Sequence, residues 1–212
     1  ATVYLPVEGE DLADGRVMLS LGAYGDGMDF FALKGVVEQL LAAMNVKNVT
    51  MAARRDVAAF HPGRCAEVRA NGEFLGVIGQ LHPLTCRNYE MDCDVFAAQL
   101  DFAHLLAQRA PAAKYQPLPR FPSVERDIAV VCDRSVTVAE LEACITRGAK
   151  GLLKQVTLFD IYTGAPIPAD KKSVAFNLTL RADDRSLTAA EADEDVKSIL
   201  ALLEQELGAV LR

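Results

Sequence analysis

The sequence predicts an α+β protein of two domains, the second folded in the order β-α-β-β-α-β. Two periodicities, strand-like alternation and helix-like i, i+3, i+4 spacing, are interleaved along the whole chain. Four prolines fall in "AQRAPAAKYQPLPRFP", residues 107–122, where periodic pattern lapses and a linker is expected. Beyond it the signals come in an order that closes into one antiparallel sheet with both helices on one face, the split ferredoxin-like arrangement. The expected division is 1–108 and 115–212, joined by 109–114, and each part is long enough to bury a core.

In the first domain, "DFFALKGVVEQLLAAMN" sets Phe30, Leu33, Val37, Leu40 and Met44 on one helical stripe, with Asp29 placed to cap the first turn. "CAEVRANGEFLGVIGQL" holds two strand-like runs around Asn71-Gly72, residue types that tolerate the positive φ of a type I′ turn. "HPLTCRNYEM" reads as a short helix with Pro83 in its first turn, where the missing N–H costs nothing. The strand "DVFAAQL" and a closing helix from Asp101 follow.

The second domain begins with the strand "RDIAVVCD", residues 126–133. "TVAELEACITRGA" is a helix opened by the pair Thr137 and Glu140, whose hydroxyl and carboxylate satisfy orphan amides. "LKQVTLFDIYTG" and "KSVAFNLTLRA" are two further strands. A second capping pair, Thr188 and Glu191, opens a helix with apolar positions 192, 196, 199, 203 and 207, and Gly208 ends it. "AVLR" supplies a short last strand.

Alternation then separates the two faces of this sheet. Val174, Phe176, Leu178 and Leu180 form a buried set, with Ile128, Val130 and Cys132. Ser173, Ala175, Asn177, Thr179 and Arg181, with Ala129 and Val131, form the opposite, open set. In "LFDIYTG" strict alternation turns Phe159 and Ile161 one way, and Leu158, Asp160 and Tyr162 the other, onto the open face. Ordinary solvated surface accounts for the Ser, Asn and Thr. A tyrosine beside two alanines is less expected of plain surface, because small neighbours leave room for something flat to lie down.

Net charge is −7, which argues against a general polyanion binder. The charge is uneven, however: residues 1–108 hold 8 basic and 14 acidic groups, and residues 109–212 hold 14 and 15. The stretch 188–207 alone has six acids against one lysine, so the remainder of the second half is mildly basic. A nucleic acid can approach that remainder provided the acidic stretch faces away. Five cysteines without a C-x-x-C pair favour reduced thiols and a cytoplasmic setting. His82, Cys86 and Cys93 lie close in sequence, but with no further ligands in view ordinary packing is the expected role. No apolar run reaches the length of a membrane span, and no signal peptide is visible. The absence of an initial methionine suggests a processed chain or a fragment.

"FPSVERDIAVV", "LFDIYTG", "KKSVAFNLTLR" and "RSLTAAEADEDVKSILALLEQELGAVLR" resemble the ferredoxin-fold anticodon-binding domain that ends the β subunit of bacterial phenylalanyl-tRNA synthetases. Upstream, "DFFALKGVVEQLL", "FHPGRCAEV" and "GVIGQLHP" resemble the catalytic-like domain that precedes it. The resemblance covers nearly the whole chain, in order. It implies that the first domain is the later part of a class II synthetase-like antiparallel module that does not catalyse. It also implies a heterotetramer of two α and two β subunits that uses ATP and Mg²⁺, with the chemistry in the α subunit. No run like the ATP-binding motifs of class II synthetases occurs here, so no cofactor is expected in this chain and no catalytic residue is assigned.

By the same resemblance, the residues matching anticodon contacts are Ala129, Asp160, Tyr162 and Ser173. All four fall on the face that alternation marks as open. A carboxylate offers two acceptors, and guanine, the first base of the phenylalanine anticodon, offers N1–H and the N2 amino group as adjacent donors. Asp160 is the expected reader of that base, Tyr162 a stacking platform, Ser173 a polar contact and Ala129 a close-approach position. Arg126, Lys172 and Arg181 are candidates for phosphate contacts, against ordinary surface charge. Two rivals are an assembly module without RNA binding of its own, and a small-molecule sensor. The second would want a glycine-rich loop or charged pocket at a helix start, and "GAYGDGMD" lacks the ligand spacing of an EF-hand.

Overall fold

A computed structural model describes every residue except Glu10, Ala113 and Gln116, and divides the chain into two units, Ala1–Lys114 and Tyr115–Arg212. In the first unit the order is β1 (Thr2–Leu5), β2 (Asp14–Tyr24), α1 (Phe30–Ala43), β3 (Val49–Ala53), β4 (Phe60–Ala70), β5 (Glu73–Leu81), α2 (Pro83–Asn88), β6 (Val95–Asp101) and α3 (Phe102–Ala107). The six strands form one antiparallel sheet in the order β1-β2-β6-β5-β4-β3. Asn71 and Gly72 take φ of 51° and 85°, as the β4–β5 turn requires. Asp29 caps α1 by accepting from the Ala32 N–H at 2.7 Å, and Asp101 caps α3 by accepting from His104 at 3.0 Å.

The first core joins Leu33, Val37 and Leu41 of α1 to Val68, Leu75, Ile78, Phe96 and Leu100 of the sheet, with Leu105 of α3. The expected stripe needs one correction: Leu41, not Leu40, is the buried member, because at 3.6 residues per turn the inward face passes from Val37 to the position four residues on. Strands β1, β2 and β3 carried no expectation, since β2 interrupts its apolar residues with Gly15 and Gly22 and is exposed over much of its length. The start of the expected linker also belongs here. Ala110 donates its N–H to Asn45 O at 2.9 Å, and the Asn45 amide donates to the carbonyls of Ala110 and Pro111. Ala113 of that linker lies outside the described residues.

The second unit runs β7 (Val124–Asp133), α4 (Val138–Gly148), β8 (Leu153–Tyr162), β9 (Lys171–Leu180), α5 (Ala189–Leu207) and β10 (Val210–Leu211). Its sheet order is β10-β7-β9-β8, antiparallel throughout, as the β-α-β-β-α-β order requires. Both capping boxes form, and Gly208 closes α5 in the left-handed region at φ 59°. Both helices pack on the face carrying Ile128, Val130, Cys132, Val174, Phe176 and Leu178. Gly148 lets α4 approach α5 closely: a Cβ there would sit 2.9 Å from the Ile199 Cα. Asp195 enters the helix interior unexpectedly, and its carboxylate accepts the Lys150 N–H at 2.7 Å.

Strict alternation fails in β8. Leu158 pairs with Phe176 and Asp160 with Ala175, so Phe159 is an extra residue, a β-bulge. Lys154 is a second extra residue, between Leu153 opposite Leu180 and Gln155 opposite Thr179. Leu158 therefore packs against the helix-covered core rather than sharing a face with Asp160 and Tyr162. Phe159, without a pairing partner, is 58% exposed.

Candidate nucleic-acid interface

The helix-free face of the second sheet is assembled from four strands in rows fixed by register. One row runs Ala129, Ala175, Asp160, and the next runs Val210, Val131, Ser173, Tyr162. A third row sets Asp127 opposite Asn177 and Asn177 opposite Thr157, with the Asn177 amide donating to Asp127 at 2.8 Å. The face is thus polar and hydrogen-bonded at one end, and small-floored with one aromatic ring at the other.

The structure brings Ala129, Asp160, Tyr162 and Ser173 together on this face. Asp160 is exposed, and among the described residues its carboxylate has no hydrogen-bond or ion-pair partner. Tyr162 is 40% exposed, and its hydroxyl donates to the Ala165 carbonyl at 2.8 Å, which fixes the ring's tilt. Gly164 leaves room beside it, since a Cβ there would fall 2.8 Å from that hydroxyl and displace the ring. Ser173 faces the same way but keeps only 3% of its surface, flanked in register by Val131 and Tyr162. Its hydroxyl is covered rather than presented.

The three candidate phosphate contacts are not gathered on this face. Arg126 shares the inward parity of Ile128 and pairs with Asp193 of α5 at 2.9 Å. Lys172 is opposite Cys132, also inward. It adds to the lowering of the Glu140 carboxyl at the start of α4, after the hydrogen bonds from the Thr137 N–H and hydroxyl. Counting by twos from Ile128 and Val174 places both on the helix side. Arg181 lies just beyond β9 with outward parity, and its Nε is 4.0 Å from Asp183. Two basic residues with outward parity were missed: Lys171, opposite Asp133, and Arg212. Parity from Ser173 would have found Lys171. Arg212 needs the β10 register, which sequence alone does not supply.

Acidic charge on α5 is carried on the helix layer and is largely paired: Glu191 with Arg185, Asp193 with Arg126, Glu194 with Lys150 and Glu206 with Arg147. A polyanion approaching the open face therefore meets this charge compensated and behind the sheet. In the first unit, His82 Nδ1 accepts the Leu84 N–H at 3.1 Å and so caps α2, while Cys86 is buried. Among the described residues no group of three or more His, Cys, Asp or Glu is placed to hold a metal ion. No helix among them is long and apolar enough to cross a membrane.

Two family models match the chain. Residues 119–212 match the ferredoxin-fold anticodon-binding domain, and residues 1–102 match the phenylalanyl tRNA synthetase beta chain CLM domain. The phenylalanine–tRNA ligase beta subunit of Clostridium acetobutylicum is 37% identical over 99% of this chain and 26% of its own length. That of Symbiobacterium thermophilum is 40% identical over 99% of this chain and 25% of its own length. The Bacillus subtilis subunit is 38% identical over 87% of this chain and 23% of its own length. The chain spans about a quarter of the length of these relatives. With both models matched in series along nearly all its residues, it belongs to the phenylalanine–tRNA ligase beta-subunit family.

Proposed function

We propose that residues 115–212 read the anticodon of phenylalanine tRNA, with Asp160 as the reader of its first base. The observation that carries this is an exposed carboxylate with no partner among the described residues, in a row with two alanines and beside an exposed tyrosine ring. Asp160 accepts from the guanine N1–H and N2 amino group at once, a pairing that adenine, cytosine and uracil do not match. Tyr162 stacks on the unpaired base. Ala129 and Ala175 let the base lie close to the sheet. Ser173 contributes only if the covering side chains shift. Arg181 and Lys171 are the cations with outward parity offered for phosphate contact; Arg126 and Lys172 are not.

On this reading the chain is the non-catalytic end of a ligase that joins phenylalanine to tRNA at the expense of ATP, with Mg²⁺. Those cofactors belong to the whole enzyme, and no residue described in this chain is assigned to them. The first unit is the later part of a class II synthetase-like module. Its exposed Tyr4, Leu12, Tyr24 and Phe31 suit a role in subunit assembly with an α partner, in a tetramer of two α and two β subunits. Five free cysteines, four of them buried, agree with a cytoplasmic setting.

The test is Asp160→Ala in the full ligase. Loss of two acceptors from a charged group is expected to lower kcat/KM for tRNA with guanine at the first anticodon position by about 10- to 150-fold. With another base at that position the loss should shrink sharply, because the wrong base never used the carboxylate. Tyr162→Ala should weaken both tRNAs by a similar factor. Equal losses on both tRNAs for Asp160→Ala would mean that the carboxylate only positions the strand.

A further inference from the structure

Arg212 follows β10, and its N–H donates to the Ala129 carbonyl at 2.8 Å, so it continues the pairing with β7 and shares the face of Ala129. Its guanidinium carbon lies 5.8 Å from the centre of the Tyr162 ring. Tyr162 belongs to β8 at the opposite edge of the sheet, so this contact spans β7 and β9. In the row of Arg212 only the small side chains of Ala129 and Ala175 come before Asp160, and Tyr162 stands one row over, beyond Val131 and Ser173. Among the described residues the guanidinium has no ion pair and no hydrogen bond. A planar cation with all its donors uncommitted therefore lies near the Tyr162 ring, on the face that also carries Ala129, Ala175 and Asp160.

We propose that Arg212 is the second wall of the base-binding site, so that an unpaired purine is held between the Tyr162 ring and the Arg212 guanidinium plane. The inference rests on the anticodon reading given above and adds a residue to it. A guanidinium is flat, weakly hydrated and stacks on aromatic faces and on bases. In the absence of RNA it covers the ring. A base entering over Ala129 and Ala175 takes its place on the ring, and the guanidinium turns onto the outer face of the base. The base then has a plane on each side and Asp160 at its Watson–Crick edge. A lysine does not replace this, because a point charge on a flexible stem provides no plane.

The experiment measures equilibrium binding of the full ligase to two tRNAs, one with guanine at the first anticodon position and one abasic there. Arg212→Ala is expected to weaken binding of the guanine tRNA about tenfold and of the abasic tRNA less than twofold. Arg212→Lys is expected to recover little of that loss. The main-chain N–H that pairs residue 212 with Ala129 is present in every variant, so β10 pairing is kept. Equal weakening on both tRNAs, or full recovery with Arg212→Lys, would show a phosphate contact and overturn the proposal. No weakening with Arg212→Ala, while Asp160→Ala and Tyr162→Ala do weaken binding, would overturn it and leave the anticodon reading standing. If none of the three variants discriminates between the tRNAs, the anticodon reading itself fails.

Discussion

Glu191 shows how one side chain can set a pH limit on an element. It accepts the Thr188 N–H at 2.9 Å, an Arg185 N–H at 2.7 Å and the Thr188 hydroxyl at 2.8 Å. Those bonds hold its carboxyl at about 2, down from the ordinary 4.5. A depressed carboxyl stabilises the folded state above its unfolded value, and the contribution drains away as pH falls from 4.5 toward about 2. The stability difference between the native chain and Glu191→Gln, followed by urea unfolding, should therefore be constant near neutral pH and vanish across that window. A difference that persists unchanged to pH 2 would show that the cap works through packing. The Thr-x-x-Glu spacing made both capping boxes legible in the sequence. Arg185 was not, since its approach to Glu191 depends on the loop before α5. Ser173 was legible as to its face and not as to its cover, because burial of a small residue is decided by what its neighbours do.

At the scale of elements, the strands differ in how openly they declare their faces. In β7 and β9 the apolar side alternates regularly over Ile128–Cys132 and Val174–Leu180, so inward and outward sets could be counted directly. In β8 two extra residues break the count, and nothing in "LKQVTLFDIYTG" marks them, because a bulge is stabilised by its partner strand and twist rather than by its own residues. The first sheet has its own constraint. Gly76 in β5 has φ +155°, and a Cβ there would fall on the Gln99 carbonyl oxygen of β6. Gly76→Ala should cost at least about 2 kcal/mol by combining backbone strain with a clash against a neighbouring strand. Gly22→Ala in β2, where nothing lies within 4 Å of the added Cβ, should change stability by less than about 0.5 kcal/mol. Denaturant midpoints of the two variants separate a requirement for space from a general preference for glycine.

At the scale of the whole molecule, each unit closes its own hydrophobic core, and residues 109–111 are tied to the first. Residues 115–212 expressed alone are therefore expected to give a cooperative unfolding transition and dispersed amide resonances. A product that binds hydrophobic dyes and lacks near-ultraviolet dichroism would mean the first unit completes its fold. The bulge at Phe159 has a further consequence for how such chains vary. Side-chain direction along a strand works like a two-letter phase, and one inserted residue resets it. A chain lacking Phe159 would keep Leu158 opposite Phe176 and Asp160 opposite Ala175, and so hold both site side chains on the open face. A chain lacking the paired Ile161 would instead set Tyr162 opposite Val174, on the helix layer, or force the strand to slide. Substitutions can retune what this surface reads, whereas the loss of one paired residue exchanges part of the surface for its reverse.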